Sequence, residues 1–440
     1  MDIQTAYNNT IEYLYQRLPM FSRIGKAALK PDLTNTIKFC EALDNPQDKF
    51  KSIHIAGTNG KGSTSHMMSA ILQANGYKTG LYTSPHLLDF RERIRINGVP
   101  VSKEWVVDFV DKNKALIEEI EPSFFEITVA MAFQFFAEQE VDIAVIETGL
   151  GGRLDSTNII TPLLSIITNI SYDHKDLLGD TLPQIASEKA GIIKHGVPVV
   201  IGELEPETEN VFFEHSLKNQ STLYEAETMW DLVRVKQDAN HQYFKLVDRA
   251  KREMYDLTTD LLGDYQQHNI KTVLAATDIL KANSGLSLDF NDTLHALSHV
   301  KGLTGLRGRW DKLQDRPLII ADVGHNVAGI KEVMHQLNNV NAKYKHIVVG
   351  FVKDKDVQEA LSLFPKDALY YFCNAQIARA LPAEQLNEIA VGLGFSGKHY
   401  NSVDIAVKAA KLNMADDDVL LITGSFFIVG EAMESLGIII

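Results

Sequence analysis

Residues 52–75 read SIHIAGTNGKGSTSHMMSAILQAN, and the stretch falls into pieces of different physical character. Residues 52–55 are a short strand-like run, 57–63 a glycine-rich turn, and from Ser63 onward Met67, Met68, Ile71 and Leu72 recur at the spacing of one helix face. Strand, loop and helix in that order are the repeating unit of a parallel sheet. The glycines let backbone N–H groups of Thr58, Asn59, Gly60 and Gly62 converge on phosphate oxygens, the helix N-terminus adds its positive end, and Lys61 supplies a point charge for the outer phosphates. Ser63 is placed to ligate Mg²⁺. The common P-loop pattern wants Gly where Ile55 stands and Ser or Thr where Gly62 stands. A glycine turn that merely closes a strand–helix junction is therefore the competing reading.

Working outward, strand-like runs at 80–83, 141–148, 163–170 and 197–201 alternate with helical segments such as 123–138 and 182–193, which predicts an α/β fold with a mostly parallel sheet covered on both faces. Residues 91–101 read as a hairpin, because Asn97-Gly98 supplies the positive-φ pair of a tight turn. Residues 223–257 read as a small antiparallel addition. Helices predicted over 264–281 and 292–298 lead into KGLTGLRG at 301–308, with three glycines in eight residues, the best linker candidate. The alternation restarts at 318–321, 346–350, 369–374 and 419–423. The expected domains are 1–302, with the P-loop, and 303–440, a smaller Rossmann-like α/β domain.

Composition limits the function classes. The 440 residues are 45% hydrophobic and 23% charged, with 43 Lys+Arg against 57 Asp+Glu and a net charge of -14. No global field gathers nucleic acid or anionic lipid, so an anionic substrate needs a local site. No run reaches about 18 uninterrupted apolar residues, and the N-terminus lacks a basic segment followed by an apolar one. The expectation is a cytoplasmic protein with no membrane or nucleic-acid partner. Cys40 and Cys373 alone make no disulfide framework or thiolate cluster and suit a reducing compartment.

Other residues carry chemistry by position. Glu147 ends the run 141–146, where ligands of parallel sheets bind, and is placed either to hold Mg²⁺ or to be solvated. The glycines at 149, 151 and 152 make no dinucleotide fingerprint, since Leu154 stands where its last glycine belongs. Asp173 and His174 follow 163–170 at the corresponding end, as a second metal site or a plain loop. Lys189, on a predicted helix, reads by itself as a solvated lysine. Asp322, His325 and Asn326 follow one C-terminal strand and Thr423-Gly424-Ser425 another, where they can meet an amino acid's ammonium and carboxylate or cap helices.

Together these stretches resemble the folylpolyglutamate synthase/dihydrofolate synthase family within the Mur ligase group. HIAGTNGKGS at 54–63, TSPHL at 83–87, ETGLGGRLDSTN at 147–158, Asp173-His174, EKAGI at 188–192 and TGS at 423–425 are similar to the family's motifs, in order and across nearly the whole chain. The resemblance implies a Mur-ligase-like P-loop domain followed by a glutamate-ligase domain. It implies Mg²⁺ at Ser63, Ser84, Glu147 and His174, and a carbamylated Lys189 that helps hold a second Mg²⁺; a monovalent cation such as K⁺ is a further ion it allows. It assigns Gln266 and Asn269 to adenine, Arg309 to ATP, Asp322 to ATP and catalysis, His325 and Ser425 to catalysis or glutamate, and Leu154 and Asp155 to the pterin. Residues 23–31, where the family recognises pteroate, leave the acceptor preference open.

The implied reaction is ATP-dependent amide formation by a monomer. A pteroate or folate carboxylate attacks the γ-phosphorus to give an acyl phosphate, with Lys61, His174, Lys189, Asp322 and His325 in the catalytic machinery, and L-glutamate then displaces phosphate. Two other classes stay open: a Mur-type ligase acting on a nucleotide-linked sugar peptide, and a non-catalytic P-loop nucleotide-binding module.

Overall fold

The computed structural model describes residues 2–19, 32–353 and 356–438; the acceptor-recognition stretch expected at 23–31 lies outside them. The chain divides into two compact units, Met1–Pro85 with Phe90–Asp260 and Gln266–Leu306, and His86–Asp89 with Leu261–Tyr265 and Arg307–Ile440.

The first unit is built on β1 (Lys51–Ala56), β2 (Thr79–Tyr82), β3 (Ile94–Ile96), β4 (Val99–Pro100), β5 (Ile143–Glu147), β6 (Leu164–Ile167), β7 (Val199–Ile201) and β8 (Leu223–Glu225), in the order β4-β3-β2-β5-β1-β6-β7-β8. The strands from β2 to β8 run parallel; β3 and β4 are antiparallel additions. Ile53, Ile55, Val145 and Ile166 are fully buried because helices cover both faces, which is why these strands read as unbroken apolar runs. Helix Lys61–Ala74 packs on β1, β2 and β5 and against helix Gln266–Asn283. Helix Phe124–Glu138, started by a Ser123/Glu126 capping box, contributes Phe133 and Phe136 to a core cluster. The predicted hairpin forms, with Asn97 at φ 47° and Gly98 at φ 76°.

Register fixes the working edge. Ile55 lies opposite Glu147, Ala56 opposite Ile167, and Tyr82 opposite Ile146. The strands β2, β5, β1 and β6 therefore end level, and the loops after them open side by side at their carboxyl ends. The antiparallel addition expected over 223–257 forms from Trp230 onward as β9 (Trp230–Gln237), β10 (Gln242–Asp248) and β11 (Glu253–Thr259), a separate three-stranded sheet, whereas Leu223–Glu225 joins the parallel sheet as β8.

The second unit holds β12 (Asp311–Gln314), β13 (Leu318–Ala321), β14 (Lys345–Val349), β15 (Leu369–Cys373), β16 (Gly397–Tyr400) and β17 (Val419–Thr423), ordered β12-β13-β17-β14-β15-β16 and parallel except for β12. β13 and β17 are neighbours with Ala321 opposite Ile422, so loops far apart in sequence share one edge.

The expected linker at 301–308 needs correction. Val300–Thr304 is helical and Gly305, at φ 70°, caps it. The Arg95 guanidinium donates to the Thr304 carbonyl, and His66 Nδ1 lies 2.8 Å from Thr304 Oγ1. Part of the glycine signal came from a helix cap. The second unit resumes at Arg307, and it also takes in 86–89 and 261–265, short crossings that a single cut at 302/303 cannot represent.

Candidate active site

Gly57–Gly60 joins β1 to helix Lys61–Ala74, and it is laced to the loop after β6. Thr58 N–H donates to the Asn169 carbonyl at 2.9 Å, Asn59 N–H to Asn169 Oδ1 at 2.9 Å, and Thr168 Oγ1 to the Asn59 carbonyl at 2.6 Å. Gly60 has φ 83°, and a Cβ there would lie 2.2 Å from Asn269 Oδ1; only glycine fits. Lys61 Nζ folds over the loop and donates to the carbonyls of Gly57 at 3.0 Å and Thr58 at 3.1 Å.

Lys189 is the main correction to the residue-level reading. It is 3% exposed rather than solvated, and its Nζ donates to the Gly57 carbonyl at 2.8 Å. Burial, reinforced by the charge of Lys61, pushes its pKa down to about 7. Its helix, Leu182–Ala190, is clasped by the glycine loop after β5: Arg153 N–H donates to the Glu188 carbonyl at 2.7 Å. A Cβ on Gly152 would come within 2.8 Å of the carbonyls of Glu188 and Lys189, so the glycine there permits close approach rather than a nucleotide turn.

Three predicted residues meet at the helix start. Gln266 Nε2 donates to Ser63 Oγ at 3.1 Å, and Asn269 Nδ2 to Gln266 Oε1 at 2.9 Å, all three buried. Another pair meets at the sheet edge, where Ser84 N–H donates to Glu147 Oε2 at 3.1 Å and Glu147 is buried. The Thr148 hydroxyl beside it is buried with no hydrogen-bond partner among the described residues. His174 has left-handed backbone, φ 49°, with Nε2 3.8 Å from Asp173 Oδ1. Asp155 is buried and accepts from Leu150 N–H at 2.8 Å and Thr157 N–H at 3.0 Å, while Leu154 next to it is exposed. Among the described residues no group of three or more His, Cys, Asp or Glu converges as a metal site.

In the second unit, Asp322 is buried at the end of β13. Its Oδ2 accepts from Tyr265 OH at 2.6 Å and Trp310 N–H at 2.7 Å, and its Oδ1 from Gly324 N–H at 2.8 Å. Burial pushes its carboxyl up against these hydrogen bonds. His325 Nδ1 lies 3.1 Å from the Val323 carbonyl, which can only accept, so Nδ1 carries a proton in this contact. Gly424 N–H donates to the Gly324 carbonyl at 3.1 Å, binding the loops after β13 and β17 together. Asn326 and Ser425 cap helices through Gly329 N–H at 2.8 Å and Ile428 N–H at 3.2 Å. Arg309 lies over the Phe426 ring at 5.0 Å, and the His325 ring is 5.7 Å from the same ring.

Residues 55–277 match the Mur ligase middle domain and 308–426 the Mur ligase glutamate ligase domain. The dihydrofolate synthase/folylpolyglutamate synthase of Bacillus subtilis (strain 168) is 32% identical over 98% of this chain and 99% of its own. The chain belongs to the dihydrofolate synthase/folylpolyglutamate synthase family. Two solved structures of dihydrofolate synthase/folylpolyglutamate synthase type extend the likeness to the fold. Escherichia coli FolC in complex with DHPP and ADP shares 27% identity and a TM-score of 0.84, covering 98% of this chain and 97% of that one. A bifunctional folylpolyglutamate synthase/dihydrofolate synthase with Mn, AMPPNP and L-glutamate bound shares 27% identity and a TM-score of 0.82, covering 98% of each chain.

Sequence reasoning missed two residues that pack against the expected ones. Phe426, between Arg309 and His325, follows directly on the TGS motif, and that adjacency was the available signal. Tyr265 stands just before Gln266 but carries no motif of its own; only the fold brings it to Asp322.

Proposed function

We propose that this chain is an ATP-dependent ligase that joins L-glutamate to dihydropteroate and to folates through an acyl phosphate, acting as a monomer in the cytosol. The observation that carries the reading is the convergence of two amines, half-buried Lys61 and buried Lys189, on the carbonyl that opens the P-loop. A plain nucleotide-binding loop has use for one.

Lys61 leaves the loop carbonyls for the outer phosphates of ATP and balances charge on the transferring phosphoryl group. Gln266 and Asn269 hold the adenine, and Arg309 and Asp322 the rest of the nucleotide. Mg²⁺ suits the donors present, hard oxygens on Ser63, Glu147 and the orphaned Thr148 hydroxyl; Ser84, His174 and Lys189 complete the set. When bound, Mg²⁺ supplies Lewis-acid neutralisation of the phosphates. Lys189, as the free amine, adds to CO₂ and loses a proton to give a carbamate, which supplies the further carboxylate that the unmodified side chains lack.

The acceptor, lodged by Leu154 and Asp155, presents its carboxylate to the γ-phosphorus. His325 Nε2 takes a proton from the glutamate ammonium held by Ser425, and the amine then displaces phosphate from the acyl carbon. Phosphate release from ATP, measured with purified protein, Mg²⁺ and glutamate, tests the reading. Release that requires glutamate and dihydropteroate or tetrahydrofolate supports it. Release driven instead by a nucleotide-linked sugar peptide, or independent of glutamate, overturns it.

A further inference from the structure

β1 carries a polar residue where its neighbours Ile53 and Ile55 are apolar: His54, fully buried. Its Nε2 lies 2.8 Å from Thr157 Oγ1, and that hydroxyl donates in turn to Asp155 Oδ1. The hydroxyl has one proton and a carboxylate only accepts, so the direction of the chain is fixed: His54 Nε2–H donates to Thr157, and Thr157 O–H to Asp155. Nδ1 is then bare, and it is buried with no hydrogen-bond partner among the described residues. Burial holds the imidazole pKa down at about 3, so the ring stays neutral and the direction does not reverse with pH.

Asp155 fastens both ends of one loop. Its Oδ1 takes the Thr157 amide and hydroxyl, its Oδ2 takes the Leu150 amide, and exposed Leu154 rides between. A carboxylate whose acceptor sites are filled from fixed directions cannot rotate, and the loop it closes is held with it. A buried histidine carrying an orphaned nitrogen costs stability that a valine or isoleucine at 54 would not.

We propose that His54 is a positioning residue for the acceptor site, ordering the loop 150–157 through Thr157 and Asp155. This rests on the reading of Leu154 and Asp155 as acceptor-binding residues. His54 touches no substrate; it fixes which way the Thr157 hydroxyl points.

The test compares His54→Leu, His54→Gln and Thr157→Val. Loss of one link of this chain is expected to raise the acceptor KM about tenfold in His54→Leu and Thr157→Val, with the ATP KM unchanged within about twofold. Glutamine, whose amide N–H takes the place of Nε2–H, restores the acceptor KM. The double variant His54→Leu/Thr157→Val is no worse than either single one, because both break the same chain. Hydrogen exchange at the Leu150 and Thr157 amides is faster in both single variants and protected in His54→Gln. An unchanged acceptor KM, an equal rise in the ATP KM, or a glutamine variant as poor as leucine overturns the proposal. If His54→Leu fails to fold, the Thr157→Val and His54→Gln arms decide. Absence of pterin-dependent turnover in the unsubstituted protein sinks the functional reading instead, and the exchange measurement still tests the chain of hydrogen bonds.

Discussion

Lys189 and Lys61 donate to one acceptor, the main-chain carbonyl of Gly57, at 2.8 and 3.0 Å. Burial disfavours the Lys189 ammonium, and repulsion from the Lys61 charge on the same carbonyl adds to it. Lys189 is therefore substantially a free amine at neutral pH, with its pKa at about 7, which is the form that takes up CO₂. Lys189→Ala is expected to lose ligase activity and to recover part of it with added short-chain carboxylates. Activity in Lys189→Ala equal to the parent would show that the amine has no such part.

The same shift makes a stability prediction in protein free of nucleotide and bicarbonate. The unfolded chain keeps Lys189 protonated up to the ordinary value of 10.5, the folded chain only below about 7. Between those values the unfolded state binds more protons, so this group's penalty is full below about pH 7 and relieved as pH rises toward 10.5. Lys189→Met, which keeps the length without the charge, should exceed the parent in urea midpoint at low pH, with the advantage shrinking as pH rises. Parallel midpoint profiles would contradict the burial argument.

Lys61→Ala removes a cation proposed to reach the outer phosphates. Turnover should fall by more than about 100-fold while the urea midpoint stays near the parent's, since a fixed charge on a transferring phosphoryl group typically contributes several kcal/mol. Near-normal turnover in a folded variant would sink the P-loop assignment.

Tyr265→Phe deletes one of the hydrogen bonds that favour ionised Asp322. The Asp322 carboxyl pKa should rise, moving the acidic limb of the pH profile of kcat/KM for ATP to higher pH, while the fold survives on the Trp310 and Gly324 N–H donors. A profile that does not move would mean that Asp322 need not be ionised.

How far the sequence reached depended on the range of the interaction. β1, its loop and helix Lys61–Ala74 were legible because strand, glycine turn and helix periodicity are local, and the Asn97-Gly98 turn for the same reason. β12 and β16 were not seen: each is four residues long, β12 mostly half-buried and β16 mostly exposed, and both are too short and polar for an apolar run to show. Lys189 looked like any helical lysine, because its burial comes from the Gly152 loop and the Gly57 carbonyl, both distant in sequence. The pairing of Ser84 with Glu147 and of Tyr265 with Asp322 likewise arises from sheet order and chain crossings, which no local pattern encodes. Family resemblance supplied the names of most site residues; the geometry supplied Phe426, Tyr265 and the His54–Thr157–Asp155 chain.

The acyl phosphate is the central claim, and an isotope transfer tests it most directly. Dihydropteroate labelled with ¹⁸O in its carboxylate is turned over with ATP, Mg²⁺ and glutamate, and the released phosphate is analysed by mass spectrometry. In an acyl phosphate the bridging oxygen comes from the carboxylate and leaves with phosphorus, so each amide formed should deliver one ¹⁸O to phosphate. Amide product accompanied by unlabelled phosphate would contradict the account.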